Sequence, residues 1–411
     1  MQTKFLIAGA GIGGLAAALA LHASGRHVTV FEAVSELQPL GVGINLLPHA
    51  AAVLGEFGLL DDLLAAGVAT RELVYFNKFG QRIWSETRGR FAGHSAPQIS
   101  LSRGALHFAL LAACRERLGA DRVITGRRLV SFETSDAGVL VHLTAPDGDT
   151  HEVATDVLIA ADGIHSRARA QLYPDEGPPI FAGRILWRAT SLAPPFLTGA
   201  SMIMAGHQDQ KFVAYPIEPQ RTDGLQRINW IAELRVPVNL RREDWNRAGT
   251  LADFLPRYDT WHFDWLDVPG LIRSAEAVFE YPLVDRDPLP RWSHGRMTLL
   301  GDAAHAMFPI GSNGASQAIL DSRALVAALD ANADPVEALA AYDSVRRPAT
   351  AAIVRANRGN GPEQCMQIVE ERAPHGFNRI EDIVAPGEIE AITSGYKQLT
   401  GMYLPTGNAA P

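Results

Sequence analysis

Four glycines, Gly9, Gly11, Gly13 and Gly14, follow an apolar run in the opening stretch KFLIAGAGIGGLAAALALHASG, and the next apolar run, HVTVF, closes on an acid, Glu32. A lysine before a long apolar run with small residues after it is also the layout of a secretory signal. A signal or membrane helix, however, is selected for bulk apolarity, and glycines this dense oppose helix formation. The pattern fits a phosphate cradle instead. Gly9 permits a tight turn, Gly11 lets the backbone approach a pyrophosphate, and Gly14 allows close helix packing. The turn through Ile12 and Gly13 opens a helix whose free N–H groups and partial positive charge suit phosphates. Glu32 can accept hydrogen bonds from a ribose diol.

That chemistry needs particular elements to hold it. The spacing predicts a buried strand over 5–8, the glycine turn over 9–14, a helix over 15–24 ended by Gly25 at positive φ, and a strand over 27–31. Strand, turn, helix, strand and acid make a dinucleotide-binding βαβ unit, kept in the mature protein.

At 411 residues the chain is too long for one simple core and implies two domains with a C-terminal appendage. Its 47% apolar content is that of an ordinary soluble protein. The net charge of −8, with no basic block, gives no pull on nucleic acid or an anionic membrane. The two cysteines, Cys114 and Cys365, are far apart, which excludes disulfide-exchanging flavoenzymes, iron–sulfur clusters and cysteine zinc sites. Cys114, in ALHFALLAACRERLG, reads as a core filler. The histidines have no metal-ligand spacing, so no metal is expected, and the default location is the cytoplasm.

Along the chain, LGVGINLLPHA is a glycine-rich loop entering a helix with Pro48 at a first helical position. RELVYFNKFGQRIWSE reads as antiparallel strands around a turn at 78–81, and helical periodicity returns over 103–118. VLIAADGIHSRAR and RMTLLGDAAHAMFPIGSNGASQAILD each read as a buried strand, a turn and a helix. Between them, RILWRAT, SMIMAG, KFVAYPI and INWIAELRVP indicate an antiparallel sheet. The expected fold is therefore mixed α/β. A discontinuous Rossmann-like domain takes 1–74, 100–178 and 279–335, a sheet domain takes 75–99 and 180–278, and 336–411 is a helical segment.

Three further stretches resemble a family. ADGIHSRAR, with Asp162, Gly163, Ser166 and Arg169, is similar to the D-G-x-x-S-x-x-R motif of flavoprotein monooxygenases. LLGDAAHAMFPIGSNGASQAILD, with Gly301, Asp302, His305, Pro309, Gly311 and Gly314, resembles their G-D-A-x-H…P…G…G motif. SLSRGALH resembles the segment whose arginine, here Arg103, reaches the FAD pyrophosphate and ribityl chain. Over nearly the whole length the chain is similar to the class A FAD-dependent aromatic hydroxylases. Within them LGVGINLLPHA, VAYPI, REDWNRAG and YPLVDRDPLPRW look nearest the phenazine monooxygenases. Two departures stand out: Gly311-Ser312-Asn313-Gly314 where many relatives have G-Q-G, and no arginine after Gly43.

The resemblance implies FAD as cofactor, NAD(P)H as co-substrate, and an electron-rich aromatic or N-heteroaromatic acid as substrate. Hydride would pass from NAD(P)H to FAD, the reduced flavin would react with O2, and a flavin C(4a)-hydroperoxide would hydroxylate the ring, with loss of CO2 where the attacked carbon carries a carboxylate. Asp302 would accept from ribityl hydroxyls, its alternative role being a helix cap. Arg103 would meet phosphate, and Asp162 would serve both FAD and the nicotinamide nucleotide. The 309–315 turn, with Pro309, Gly311, Asn313, Gly314 and Ala315, would place amides against the flavin ring. The loop 41–44, including Gly43, would lend mobility to the ring's surroundings. Arg188, Tyr215 and Trp230 are candidates to touch substrate, Arg188 with an interdomain ion pair as its alternative. The scaffold also admits an isoprenoid epoxidase or reductase and a non-catalytic FAD-binding protein. Oligomeric state stays open between monomer and homodimer.

Overall fold

Unbroken apolar runs mark strands covered on both faces, and four of them, Lys4–Ala8, His27–Phe31, Val157–Ala160 and Met297–Leu299, pair in parallel at the centre of a six-stranded sheet. Val123–Ile124 extends one edge in parallel and Ser293–His294 closes the other antiparallel. The computed structural model describes residues 3–38, 41–236 and 247–404. Most of REDWNRAG and the last residues of the chain thus lie outside the described residues.

Helix Ile12–Ala23 packs against Arg103–Leu118 and Gly314–Ala331, its Leu15 and Leu19 fully buried. It begins three residues earlier than the glycine content predicts. The reason is close packing, because Gly13 lies against Leu300 and Ala318 and leaves no room for a side chain. Gly25 does end the helix region at φ 78, and Pro48 does open helix Pro48–Glu56. Cys114 is a core residue beside the Leu15 carbonyl, its thiol pushed up to about 12 by burial.

The second sheet has eight strands. From one edge they are Arg247–Ala248, Phe279–Asp285, Ile180–Ala193, Gln226–Arg235, Gln210–Pro216, Ser201–His207, Glu72–Phe76 and Arg82–Thr87. All neighbours run antiparallel except Ser201–His207 and Glu72–Phe76, which pair in parallel because the 72–87 hairpin arrives from an earlier pass of the chain. Phe279–Asp285, placed by sequence with the nucleotide domain, pairs here with Ile180–Ala193. Its apolar core, YPLV, reads the same as a buried parallel strand. A separate meander, Arg128–Thr134, Val139–Thr144 and Thr150–Thr155, was not anticipated. Its signal was present in Asp147-Gly148 between two alternating runs.

Helices Pro335–Arg358, Gln364–Arg372 and Glu388–Leu399 form the C-terminal segment. No helix among the described residues is long and apolar enough to cross a membrane. At the start of Pro48–Glu56, burial drives His49 from 6.5 to about 4, with Arg346 and His94 acting in the same direction against a backbone bond at Thr400. The unfolded chain therefore takes a proton that the folded chain refuses. Stability is full above about pH 6.5 and falls as pH drops toward 4, by roughly 2 kcal/mol at about pH 5. Denaturant unfolding between neutral and pH 5 should show that loss, and His49→Gln should flatten it.

Candidate active site

Gly9 adopts φ +109, and a Cβ there would lie 2.3 Å from the Ala161 carbonyl oxygen; a Cβ on Gly14 would lie 2.0 Å from the Gly9 carbonyl oxygen. The fold itself demands these two glycines. Gly11 is different: a Cβ there meets nothing within 4 Å, although the residue sits at the N-cap of helix Ile12–Ala23. Gly11 also lines the cavity between the two sheets, so a Cβ there would project into open space at a helix N-terminus. Glu32 braces the turn, accepting from Ala10 N at 2.8 Å and Val34 N at 3.0 Å. His107 Nε2 lies 2.6 Å from the Ala10 carbonyl and fixes the same turn from the helix below.

Between the two sheets lies a cavity of about 370 Å³. Gly11, Ile12, Gly13, Gly14, Gly43, Arg103, Gly163, Gly301, Asp302, Pro309, Gly314 and Ala315 line it, with Arg188 and Tyr215 from the eight-stranded sheet. Arg103 and Asp302 present exposed side chains to this space. Although the Arg103 side chain borders open space, the protein atoms crowded around its guanidinium partly desolvate it and lower its basicity, Asp302 opposes that, and Arg188 adds to it. Asp302 is the first residue of helix Asp302–His305, and the N-cap position is held by Gly301, so the alternative capping role is not taken up. Asp162 does cap: its Oδ2 accepts from Arg167 N at 2.7 Å. Its buried Oδ1 has no partner, and burial pushes the carboxyl up.

The 309–315 turn is anchored from behind. Gly311 has φ +66, and a Cβ there would strike the Tyr396 ring at 2.5 Å. The Tyr396 hydroxyl accepts from Asn313 Nδ2 at 2.9 Å and reaches Asn357 Oδ1 at 2.6 Å and the Ile310 carbonyl at 3.1 Å. Asn313 is thus turned into the C-terminal helices, away from the cavity. The turn presents Pro309, Ile310, Ser312, Gly314 and Ala315 to the cavity instead.

On the roof, Arg188 Nη2 donates to the Gly43 carbonyl at 2.9 Å and its guanidinium lies 5.7 Å from the Tyr281 ring centre. No ion pair to Arg188 occurs among the described residues, and its buried Nε has no partner. Burial raises the Tyr215 phenol to about 12 while Arg188 opposes the rise, so the hydroxyl is neutral. Gly43 is no hinge. It belongs to strand Gly43–Leu46, its N–H donates to Asn229 Oδ1 at 2.6 Å, and a Cβ would meet Asn229 at 2.7 Å. Trp230 faces the other side of the sheet, where it packs with Phe212 and Phe254 and donates to Ser191. Its neighbour Ile231 lines the cavity, as alternation along a strand requires.

Residues 2–357 match the FAD binding domain family. The chain belongs to that family. It is 45% identical to the phenazine 1,6-dicarboxylic acid hydroxylase of Lysobacter antibioticus, with 97% of each chain covered. It is also 31% identical to 3-hydroxybenzoate 6-hydroxylase 1 of Aquipseudomonas alcaligenes, over 86% of this chain and 87% of that one. Among solved structures, a variant of Klebsiella pneumoniae HpxO complexed with FAD superposes with a TM-score of 0.78 at 25% identity, covering 99% of this chain and 100% of that chain.

In this FAD-family chain, two motif residues act behind the cavity. Arg169 is buried; it donates to the Ala303 and Ala304 carbonyls at 3.2 and 3.1 Å and pairs with Glu176. It thereby ties the two motif segments together. His305 Nε2 lies 2.6 Å from Asp321 Oδ2, and Arg346 Nε lies 2.7 Å from Asp321 Oδ1. Asp321 Oδ2 also accepts from Gly301 N at 3.1 Å, which fixes the strand end that carries Asp302. Asn229 and Tyr396 carried no local motif, so sequence reasoning missed them; His107 closes the SLSRGALH segment but was passed over beside Arg103.

Proposed function

We propose that the protein is an FAD-dependent monooxygenase that uses NAD(P)H and O2 to hydroxylate an electron-rich aromatic or N-heteroaromatic acid. Loss of CO2 accompanies the reaction where the attacked carbon carries the carboxylate. The observation that carries the reading is one cavity that joins the cleared Gly11 cradle, the 309–315 turn and a roof holding Arg188 and Tyr215. Bound FAD would supply the redox chemistry by which NAD(P)H and O2 give the hydroxylated ring, NAD(P)+ and water.

The chain's own residues bind, orient and exclude water. Amides of Gly11, Ile12 and Gly13 hold the pyrophosphate, Arg103 adds a fixed charge, and Glu32 receives the adenosine ribose through the turn it braces. Asp302 accepts from the ribityl hydroxyls, and the free Oδ1 of Asp162, whose neighbours Ala161 and Gly163 line the cavity, is a further acceptor. Amides of the 309–315 turn stabilise negative charge on the ring edge. Arg188, through its free Nε, orients the substrate carboxylate, and the neutral Tyr215 hydroxyl offers a hydrogen bond beside it. The apolar strip between the sheets keeps water from the reacting atoms. The reading includes a cytoplasmic enzyme, monomer or homodimer, with no nucleic-acid or membrane partner.

Asp302→Ala should weaken FAD binding by about 1–3 kcal/mol, because it removes an acceptor and leaves donors unpaired. Flavin-fluorescence titration of the apoprotein measures this, and unchanged affinity would refute the assignment. The activity is tested by supplying NAD(P)H, O2 and a panel of aromatic acids and comparing hydroxylated product with H2O2. Oxidation that yields only H2O2 from every aromatic would reject the reading.

A further inference from the structure

The roof of the cavity has two polar ends. On strand Gln210–Pro216 the residues Lys211, Val213 and Tyr215 alternate onto the cavity face. Tyr215, with Arg188 beside it, marks the end assigned above to the substrate carboxylate. Lys211 lies four residues away, about 13 Å along the strand at about 3.3 Å per residue. It is paired across the sheet with Glu233; on the rung between, Val213 lies opposite Ile231 and Arg188 continues that rung on the next strand, its guanidinium held toward the Tyr215 end by the Gly43 carbonyl.

At the far end Lys211 Nζ lies 2.9 Å from Glu233 Oε2 and 2.7 Å from Glu363 Oε2, and Arg184 Nη1 lies 3.0 Å from Glu233 Oε1. All four side chains are at least nine-tenths buried, yet Lys211, Glu233 and Glu363 line the same cavity as the cradle. Four buried charges are costly to desolvate, and well-packed apolar residues of similar volume would serve stability as well or better. Glu363 comes from the C-terminal segment, just after Asn360, whose side chain accepts from Arg184 Nη2 at 3.2 Å.

We propose that Lys211 and Glu363 form a second recognition pole of the substrate cavity, selecting fused-ring aromatic acids that carry a second carboxylate at the end remote from Arg188. This rests on the aromatic-acid reading above. With both carboxylates ionised the four groups sum to zero charge, so a second substrate anion enters without penalty if one proton enters with it. Burial pushes the Glu363 carboxyl up, Lys211 opposes the rise and Glu233 adds to it. Glu363 is therefore the member that takes the proton and then donates it in a hydrogen bond to the incoming carboxylate, with Lys211 and Arg184 left to balance Glu233 and the ligand.

The test titrates the FAD-loaded enzyme with phenazine-1,6-dicarboxylate and phenazine-1-carboxylate, following the perturbation of the flavin absorption band and ligand-stimulated NAD(P)H oxidation. Wild type should bind the diacid more tightly. The double variant Lys211→Met, Glu363→Leu removes one ion pair as a unit and leaves Arg184 with Glu233. It should bind the diacid about tenfold more weakly and the monoacid within about twofold of wild type. Glu363→Gln keeps a hydrogen-bond donor in place and should retain the diacid preference, a rescue that a purely structural role does not give. Equal binding of the two acids by wild type, or an equal loss of both in the double variant, overturns this inference alone. A wild type that binds neither acid overturns the aromatic-acid reading as well.

Discussion

Gly14→Ala should fail to give a folded protein, while Gly11→Ala should fold like wild type and lose its FAD. The two glycines stand three residues apart in one turn, and what surrounds them sets their fates. A methyl on Gly14 would be 2.0 Å from the Gly9 carbonyl oxygen, a backbone atom that Gly9, itself against Ala161, cannot carry away. The overpacking exceeds the usual range of about 1–3 kcal/mol, because no flexible side chain can absorb it. A methyl on Gly11 touches nothing in the protein and, at an N-cap where glycine is preferred to alanine, costs the helix start about 1 kcal/mol, well short of unfolding the chain. It does fill the space against which a pyrophosphate must lie. Thermal unfolding of the two apoproteins, followed by flavin titration of the one that folds, separates the effects. A Gly11→Ala protein that binds FAD as wild type does would show that the clearance serves another purpose.

Asp321→Ala should cost about 3–5 kcal/mol, the largest loss expected from any single side chain behind the cavity. Asp321 is fully buried and holds His305, Arg346 and Gly301 N at once. Its removal leaves the Arg346 guanidinium uncompensated in the interior. Burial alone would raise the Asp321 carboxyl, but His305 and Arg346 hold it below the ordinary carboxylate range. A carboxyl depressed on folding adds stability above its unfolded value of about 3.9, and that stability is lost as pH falls below it. Denaturant unfolding near neutral pH should show the full difference between wild type and variant, and the difference should shrink on acidification. A change under about 1 kcal/mol would contradict the role given to this network.

The local part of the site was legible in the sequence. Gly9, Gly11, Gly14 and Glu32 lie on consecutive elements, so spacing alone brings them together. The segments around Asp162 and Asp302 each read as a strand end entering a helix, and that of Arg103 as a helix start, although the strand before it, Ile99–Ser102, was not read. Asn229 and Tyr396 could not be found that way, since their partners, Gly43 and the 309–315 turn, lie far off in the chain and share no periodicity with them. Trp230 was assigned to the wrong side for another reason. In INWIAEL one face, Ile228, Trp230, Ala232 and Leu234, is apolar and the other carries Asn229, Ile231 and Glu233, so the alternation is plain, but which face the cavity takes cannot be read until the sheet is packed. Gly43 shows a similar limit: a glycine needed for close approach and one needed for motion are written with the same letter.

The hold of Tyr396 on the 309–315 turn also orders events in time. During synthesis the Gly9 to Gly14 turn emerges first, and the six-stranded sheet is complete once Met297–Leu299 has followed. Tyr396, which braces Gly311 and meets Asn313, Asn357 and the Ile310 carbonyl, is made almost a hundred residues later. A nascent chain that has not yet reached Tyr396 therefore owns a phosphate cradle without a finished bed for the ring. Domains fold as they emerge, the N-terminal parts first, so helix Glu388–Leu399 acts as a latch that closes after the cradle has formed, and without it that bed is unbraced.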